Sequence, residues 1–267
     1  AQRVVDLLME KKESRAAEVA REIEEMNQQR REVDEVTTAS ALKQLETSAS
    51  DSFVNLVHGK DWHRGVVGIV ASRMIEQRYR PSIVLSEENG ALIGSARSVH
   101  GVDIHQALES CEDLLQQFGG HPMAAGLSLK VEQLAEFKKR INDAIALQLD
   151  NVLPKPLVRC DREVHISELS LEAWKELQQL EPFGPGNPTP VFILKNVVCV
   201  RPPRTIGNQG RHLKITVEDA TGDFPTIDAI GWNMGDLAPH IKQNMPVDIA
   251  FTLVKNTWKP RGWQNRT

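Results

Sequence analysis

The stretch Phe118-Gly119-Gly120-His121-Pro122-Met123-Ala124-Ala125-Gly126 decides how the chain is read. Two adjacent glycines carry no Cβ, so the backbone can come close to a ligand. His121 follows, able to donate or accept a hydrogen bond and to carry charge near neutral pH. Pro122 suits the first turn of a helix, whose free N–H groups form an anion site. Ala124, Ala125 and Gly126 are small enough for that turn to pack tightly. On this reading the stretch is the floor of a pocket for a phosphate or similar anion. A Gly-Gly turn followed by a packed histidine is the competing reading, and a short motif alone does not separate the two.

Outward from this stretch, residues 49–150 alternate strand and helix signals. Phe53 to Val57 reads as a strand, and Gly65 to Arg78 as a helix with Val66, Ile69, Val70 and Met74 inward. Ile83-Val84-Leu85 is a short buried strand, joined by the hairpin turn Asn89-Gly90 to Ala91–Ala96. Asp103 followed by Gln106 is a capping-box pattern, opening a helix that buries Ala107, Leu108, Cys111 and Leu115. A strand at Leu127–Leu129 and a helix from Val131 to Leu149 complete a compact α/β domain with a mixed sheet and flanking helices.

Residues 1–48 are helical and highly charged. Ser14 is the expected N-cap after Lys11-Lys12-Glu13, and Ala16, Val19, Ile23, Met26, Val33, Val36, Leu42 and Leu45 form one narrow apolar stripe. Such a helix suits an interdomain connector; its repeat is too irregular for a coiled coil. On the other side, Asn151-Val152-Leu153-Pro154-Lys155-Pro156 is a linker. Residues 151–267 then hold a short helix capped by Ser170, a Pro/Gly-rich segment at 182–188, and β-runs at 191–200, 212–217, 226–232 and 247–254. Short strands separated by turns such as Ala220-Thr221-Gly222-Asp223 predict a C-terminal β-barrel of OB type.

At 267 residues the chain has room for two domains, and its formal net charge of -4 excludes a uniformly basic coat while allowing a local basic face. Cys111, Cys160 and Cys199 lie far apart with no Cys-x-x-Cys pair, which points to structural thiols in a reducing cytosol. No run of about 18 apolar residues is present. A soluble, cytoplasmic protein with no membrane contact is expected. The chain opens inside a helical pattern without Met and stops as a hairpin begins its return, so it reads as a fragment.

Three groups of residues could carry chemistry. His63, in Trp62-His63-Arg64-Gly65-Val66-Val67-Gly68, stands where a strand gives way to a helix, a place where α/β domains gather anions; capping that helix or packing beside Trp62 is the alternative. Arg97 and Ser98 end a strand: the guanidinium can grip phosphate bidentately and the hydroxyl adds a neutral donor, unless Arg97 pairs with Asp103. From Lys195 onward basic residues outnumber acidic ones. Trp258 and Trp263 lie among Lys255, Lys259 and Arg261, a mixture suited to stacking bases and pairing phosphates, while Trp232 is expected to be buried. His100, Asp103 and His105 do not make a convincing metal set, because Asp103 has a capping role and the histidines straddle a helix start.

Taken together, Trp62–Ile69, Arg97-Ser98, Gly119–Gly126 and Pro182-Phe183-Gly184-Pro185-Gly186-Asn187-Pro188 closely resemble the RecJ family of single-strand-specific exonucleases, and Met26–Arg31 resembles its connecting helix. The resemblance implies a DHHA1 domain at 49–150 that grips nucleotide phosphates and an OB domain at 151–267, cut short at its end. It implies that a DHH domain, which would hold Mn2+ or Mg2+, lies outside this chain. The activity implied for the whole protein is 5′→3′ digestion of single-stranded DNA to mononucleotides in repair and recombination, by a monomer. Arg97, Ser98, Gly119, Gly120, His121, Ala124, Ala125 and Gly126 map onto substrate-contacting motifs, with His63 beside them, and no catalytic or metal residue is expected here. The rivals are a non-catalytic single-strand-binding scaffold of the same architecture, and a DHH-type phosphoesterase acting on oligoribonucleotides or cyclic dinucleotides.

Overall fold

The computed structural model describes residues 2–256, in two compact units that meet in sequence at Pro156 and Leu157. The first unit opens with α1 (Gln2–Met9) and α2 (Glu13–Thr47). Helix α2 begins at Glu13 without a side-chain cap, so Ser14 lies inside the helix rather than capping it. The expected stripe holds at its ends, where Val19 and Leu45 are buried, and is out of phase in its middle. Met26, Val33 and Val36 are exposed, and the buried line after Val19 is Asp34, Thr37, Thr38, Ala41 and Leu45. Polar residues replace aliphatic ones there because the face meets a charged neighbour: Asp34 pairs with Arg73 at 2.7 Å, and Arg73 also donates to Thr38.

Five strands and three more helices follow: β1 (Asn55–Lys60), α3 (Val67–Gln77), β2 (Ser82–Glu88), β3 (Ala91–Arg97), α4 (Ile104–Glu109), β4 (Leu115–His121), β5 (Ala124–Lys130) and α5 (Leu134–Gln148). The sheet order is β1-β2-β3-β5-β4, with β1 and β2 parallel and every other pair antiparallel. Asn89 (φ 50°) and Gly90 (φ 76°) take the left-handed conformations that a tight β2–β3 hairpin requires. Asp103 caps α4 by accepting from Gln106 N, but the return half of the box is absent; Asp103 N donates instead to Gln148 Oε1 on α5. That exchange ties the helices together across the sequence.

Alternate residues of this sheet enter different cores. Ile83, Leu85, Leu92, Ala96, Leu127 and Leu129 pack with Ile104, Leu108, Phe137 and Ile141 under α4 and α5. On the opposite face Val57 and Val84 pack with Trp62, with Val67, Val70 and Met74 of α3, and with Ala41 and Leu45 of α2. Cys111 is fully buried in the first core, where desolvation pushes its thiol pKa up.

The second unit contains β6 (Arg162–Glu163), α6 (Leu171–Gln178), β7 (Phe192–Cys199), β8 (Arg204–Ile206), β9 (His212–Glu218), β10 (Ile227–Gly231) and β11 (Pro246–Phe251). Its path is β10-β9-β7-β11, with β6 on β7 and β8 on β9, so among the described residues the strands do not close into a ring. Leu194, Val197, Cys199, Leu213, Ile215 and Val217 form one core. Ser170 caps α6, and Asp219 shapes the Ala220–Asp223 turn by accepting from Gly222 N and Thr221 Oγ1. Side-chain bonds from Asn187 to Leu180 O and Pro182 O brace the Pro/Gly segment.

Candidate nucleic-acid interface

The Gly119–Gly126 stretch is a β-hairpin, not a loop leading into a helix. Phe118 to His121 lie in β4, Ala124 to Gly126 in β5, and Pro122-Met123 form the tip. Two backbone bonds fix that tip: Ser98 N donates to Met123 O and Ile104 N to Pro122 O, each at 2.9 Å. Pro122 therefore starts no helix; it turns a chain whose carbonyl is held from α4.

Pairing register sorts the residues by face. Ala125 is buried in the core beneath α4, and its partner Gly120 has φ 151°, where a Cβ would collide with Ala124 O. Packing alone explains Gly120. Gly119 and Gly126 are cross-strand partners on the other face. A Cβ on Gly119 would meet nothing within 4 Å, and one on Gly126 only Gly94 O at 3.9 Å. The fold has no need of glycine at either place. His121 and Ala124 pair at the end of this bare shelf, and His121 is exposed.

Arg97 stands opposite Ala124, with Ser95 opposite Gly126. The Arg97 Nη1 donates to Ser95 Oγ at 2.6 Å and to Ala96 O at 2.9 Å. Among the described residues no carboxylate pairs with it, Asp103 included, so a half-buried guanidinium keeps its charge uncompensated. Such a group attracts an anion more strongly than one in bulk water, because the surrounding medium screens it less. Helix α3 borders the shelf through Gly68: a Cβ there would lie 2.7 Å from Arg97 Nη2 and 3.3 Å from Ser95 Oγ.

The remaining expected residues serve the frame. Ser98 is buried and gives its proton to Val102 O at 2.7 Å, shaping the loop that holds the hairpin tip. His63 is exposed and accepts from Gly65 N through Nδ1 at 3.0 Å, so its Nε2 carries the proton ahead of α3. Arg64, its neighbour, is paired with Glu88. Of the group from Lys255 to Trp263, only Lys255 falls within the described residues, where its Nζ lies 5.4 Å from the centroid of the Trp174 ring. Lys259, Arg261, Trp258 and Trp263 lie outside them.

Trp232 corrects an expectation: it is 66% exposed. It follows β10 in the phase of Ile230, on the side away from the core residue Leu213. Its ring meets His212 edge-on at 4.9 Å, and His212 is held by Asn233 N donating to Nδ1 at 3.0 Å. Gly207, with φ 81°, leaves room for that imidazole, since a Cβ would come within 2.7 Å of it. Strand parity could have placed Trp232 outward; its apolar character pulled the sequence reading inward.

Among the described residues no three His, Cys, Asp or Glu side chains converge to hold a metal ion. Asp103 is spent on its cap and His105 packs against Phe118 with ring centroids 5.5 Å apart. Among the described residues there is thus no set of side chains that by itself fits the divalent ions implied by the family resemblance. Among the described residues no helix is long and apolar enough to cross a membrane.

The two units match two family models: a DHHA1 domain over residues 50–147 and a RecJ OB domain over residues 160–263. This pairing defines a DHHA1–OB module of RecJ type. The chain belongs to the RecJ family. It is 34% identical over 263 residues to the single-stranded-DNA-specific exonuclease RecJ of Bacillus subtilis, an alignment that covers 96% of this chain and 32% of that protein. The crystal structures of RecJ from Thermus thermophilus with Mn2+ and with Mg2+ superpose with TM-scores of 0.75 and 0.74 at 28% and 27% identity. Each match covers 96% of this chain, and 36% and 38% of those chains respectively. The chain thus spans between 32% and 45% of the length of the curated relatives it matches.

Proposed function

We propose that this chain is the substrate-binding half of a 5′→3′ single-stranded-DNA exonuclease acting in DNA repair and recombination in the cytoplasm. The carrying observation is the uncompensated Arg97 beside Gly119 and Gly126, two glycines that the fold does not require. Without side chains the shelf lets a phosphate reach the β4–β5 backbone, while Arg97 supplies charge and His121 a neutral or cationic donor at the rim. In this reading residues 1–48 connect, residues 49–150 hold the terminal nucleotide and residues 151–267 grip more of the strand. In the last of these Trp232, braced by His212, offers a base a stacking surface. Hydrolysis, with Mn2+ or Mg2+, belongs to a DHH domain of the whole protein.

The chain alone is expected to bind oligothymidylate weakly, with affinity falling steeply as salt rises, and to cleave nothing. Arg97→Ala should weaken binding about tenfold or more, with the melting temperature unchanged and the salt dependence shallower by about 0.7 in log–log slope for the single contact removed. Wild-type affinity in Arg97→Ala would overturn the phosphate assignment. Metal-dependent cleavage by the purified chain would overturn the division of labour.

A further inference from the structure

Arg97 reaches its place by a long-range accommodation that the motif reading does not contain. Gly68 sits in the first turn of α3, and its φ is not in the left-handed region, so the backbone there would accept any L residue. The obstacle to a side chain is local: a Cβ would stand 2.7 Å from Arg97 Nη2 and 3.4 Å from its Cζ. These atoms are the far end of a flexible side chain. A methyl at 68 would therefore move the guanidinium rather than the helix or the sheet.

On the other side, Ser95 Oγ and Ala96 O hold Nη1. The guanidinium is thus confined between α3 and its own strand, next to the open surface of Gly126, which pairs with Ser95. Helix α3 is itself pinned on a later turn, where Arg73 meets the buried Asp34 of α2. Gly68 is a fixed stop.

We propose that Gly68 is a positioning residue: its missing Cβ sets the place of the Arg97 guanidinium beside the Gly119–Gly126 shelf, and so governs phosphate grip without touching the phosphate. The proposal rests on the reading of Arg97 as the phosphate-binding group. A purely structural glycine and a positioning glycine predict opposite stability effects. Replacing Gly by Ala inside a helix favours the helix, so Gly68→Ala should melt at or above the wild-type temperature while binding less well.

The test is a double-mutant cycle on the 267-residue chain, measuring affinity for 5′-phosphorylated oligothymidylate across a salt series, with thermal melts alongside. Gly68→Ala is expected to lose about five- to tenfold in affinity with a shallower salt slope. In the Arg97→Ala background the same substitution should cost nothing further, because the atom it displaces is gone. Equal affinity of Gly68→Ala and wild type, with Arg97→Ala weak, overturns this proposal and leaves the phosphate reading standing. Wild-type affinity in Arg97→Ala overturns the phosphate reading itself. Additive losses overturn the proposed route through Arg97. Should Gly68→Ala fold poorly, the double variant decides: recovery of the wild-type melt supports the collision with Arg97, and equal instability refutes it.

Discussion

Two exposed sheet surfaces in this molecule are built on opposite plans. Over β4 and β5 the first sheet shows Gly119, Gly126 and Ala124, with cationic Arg97 alongside and His121 at the rim. Over β9 and β10 the second unit shows Ile230 and Trp232, with His212 set edge-on beneath the indole and Lys214 already paired with Asp228. The first surface offers backbone and one free charge, the needs of a phosphate. The second offers an aromatic face, the need of a base. Under the proposed function the chain separates the two halves of nucleotide recognition.

The contrast has a counterpart inside the first sheet, where the glycines on the core side answer to different physics from those on the shelf. Gly94 packs so closely under β2 that a Cβ would collide with Val84 O, a backbone atom that cannot turn away. Gly94→Ala is expected to cost about 1–3 kcal/mol or more in a denaturant titration; a neutral result would break the distinction between the faces. Trp232→Ala should lose about 1–3 kcal/mol of single-strand binding, roughly 5- to 150-fold in affinity, with Trp232→Phe keeping most of it. Unchanged affinity would remove the second surface from the interface. Gly119→Ala should leave stability unchanged or raise it by up to about 1 kcal/mol, since only chain entropy is altered. The same variant should weaken binding of a phosphorylated strand, read by fluorescence anisotropy. Loss of stability instead would show that the shelf glycine serves the fold.

What the sequence made legible was local. Asn89-Gly90 specifies its hairpin through backbone preference, Asp103 caps within one turn, and the helix over Gly65–Arg78 follows its own period. The misses depended on partners far away in sequence. Gly119-Gly120 has the composition of a turn, and only pairing with β5 makes it strand. Asp34 and Thr38 take places on the buried line that Val33 and Val36 do not, and Arg73 on α3 bonds both of them. The accommodation of Arg97 by Gly68 joins residues on a helix and a strand that no periodicity connects.

Charge on the second surface gives the smallest and most specific effect. Lys214 and Thr216 both bond the Asp228 carboxylate and hold its pKa below the ordinary aspartate value, against the opposing pull of desolvation. A depressed folded-state pKa means that the unfolded chain takes up the proton first on acidification. The stabilisation is therefore full above the usual aspartate pKa of about 3.9 and disappears as pH falls through the lower folded-state value. Because the pair is half exposed, salt should screen much of it. Melts of the chain between about pH 5 and pH 2 should show a shallower acid dependence for Asp228→Asn than for wild type, with the difference shrinking in high salt. Identical acid profiles would show that the Lys214–Asp228 pair carries no net stability.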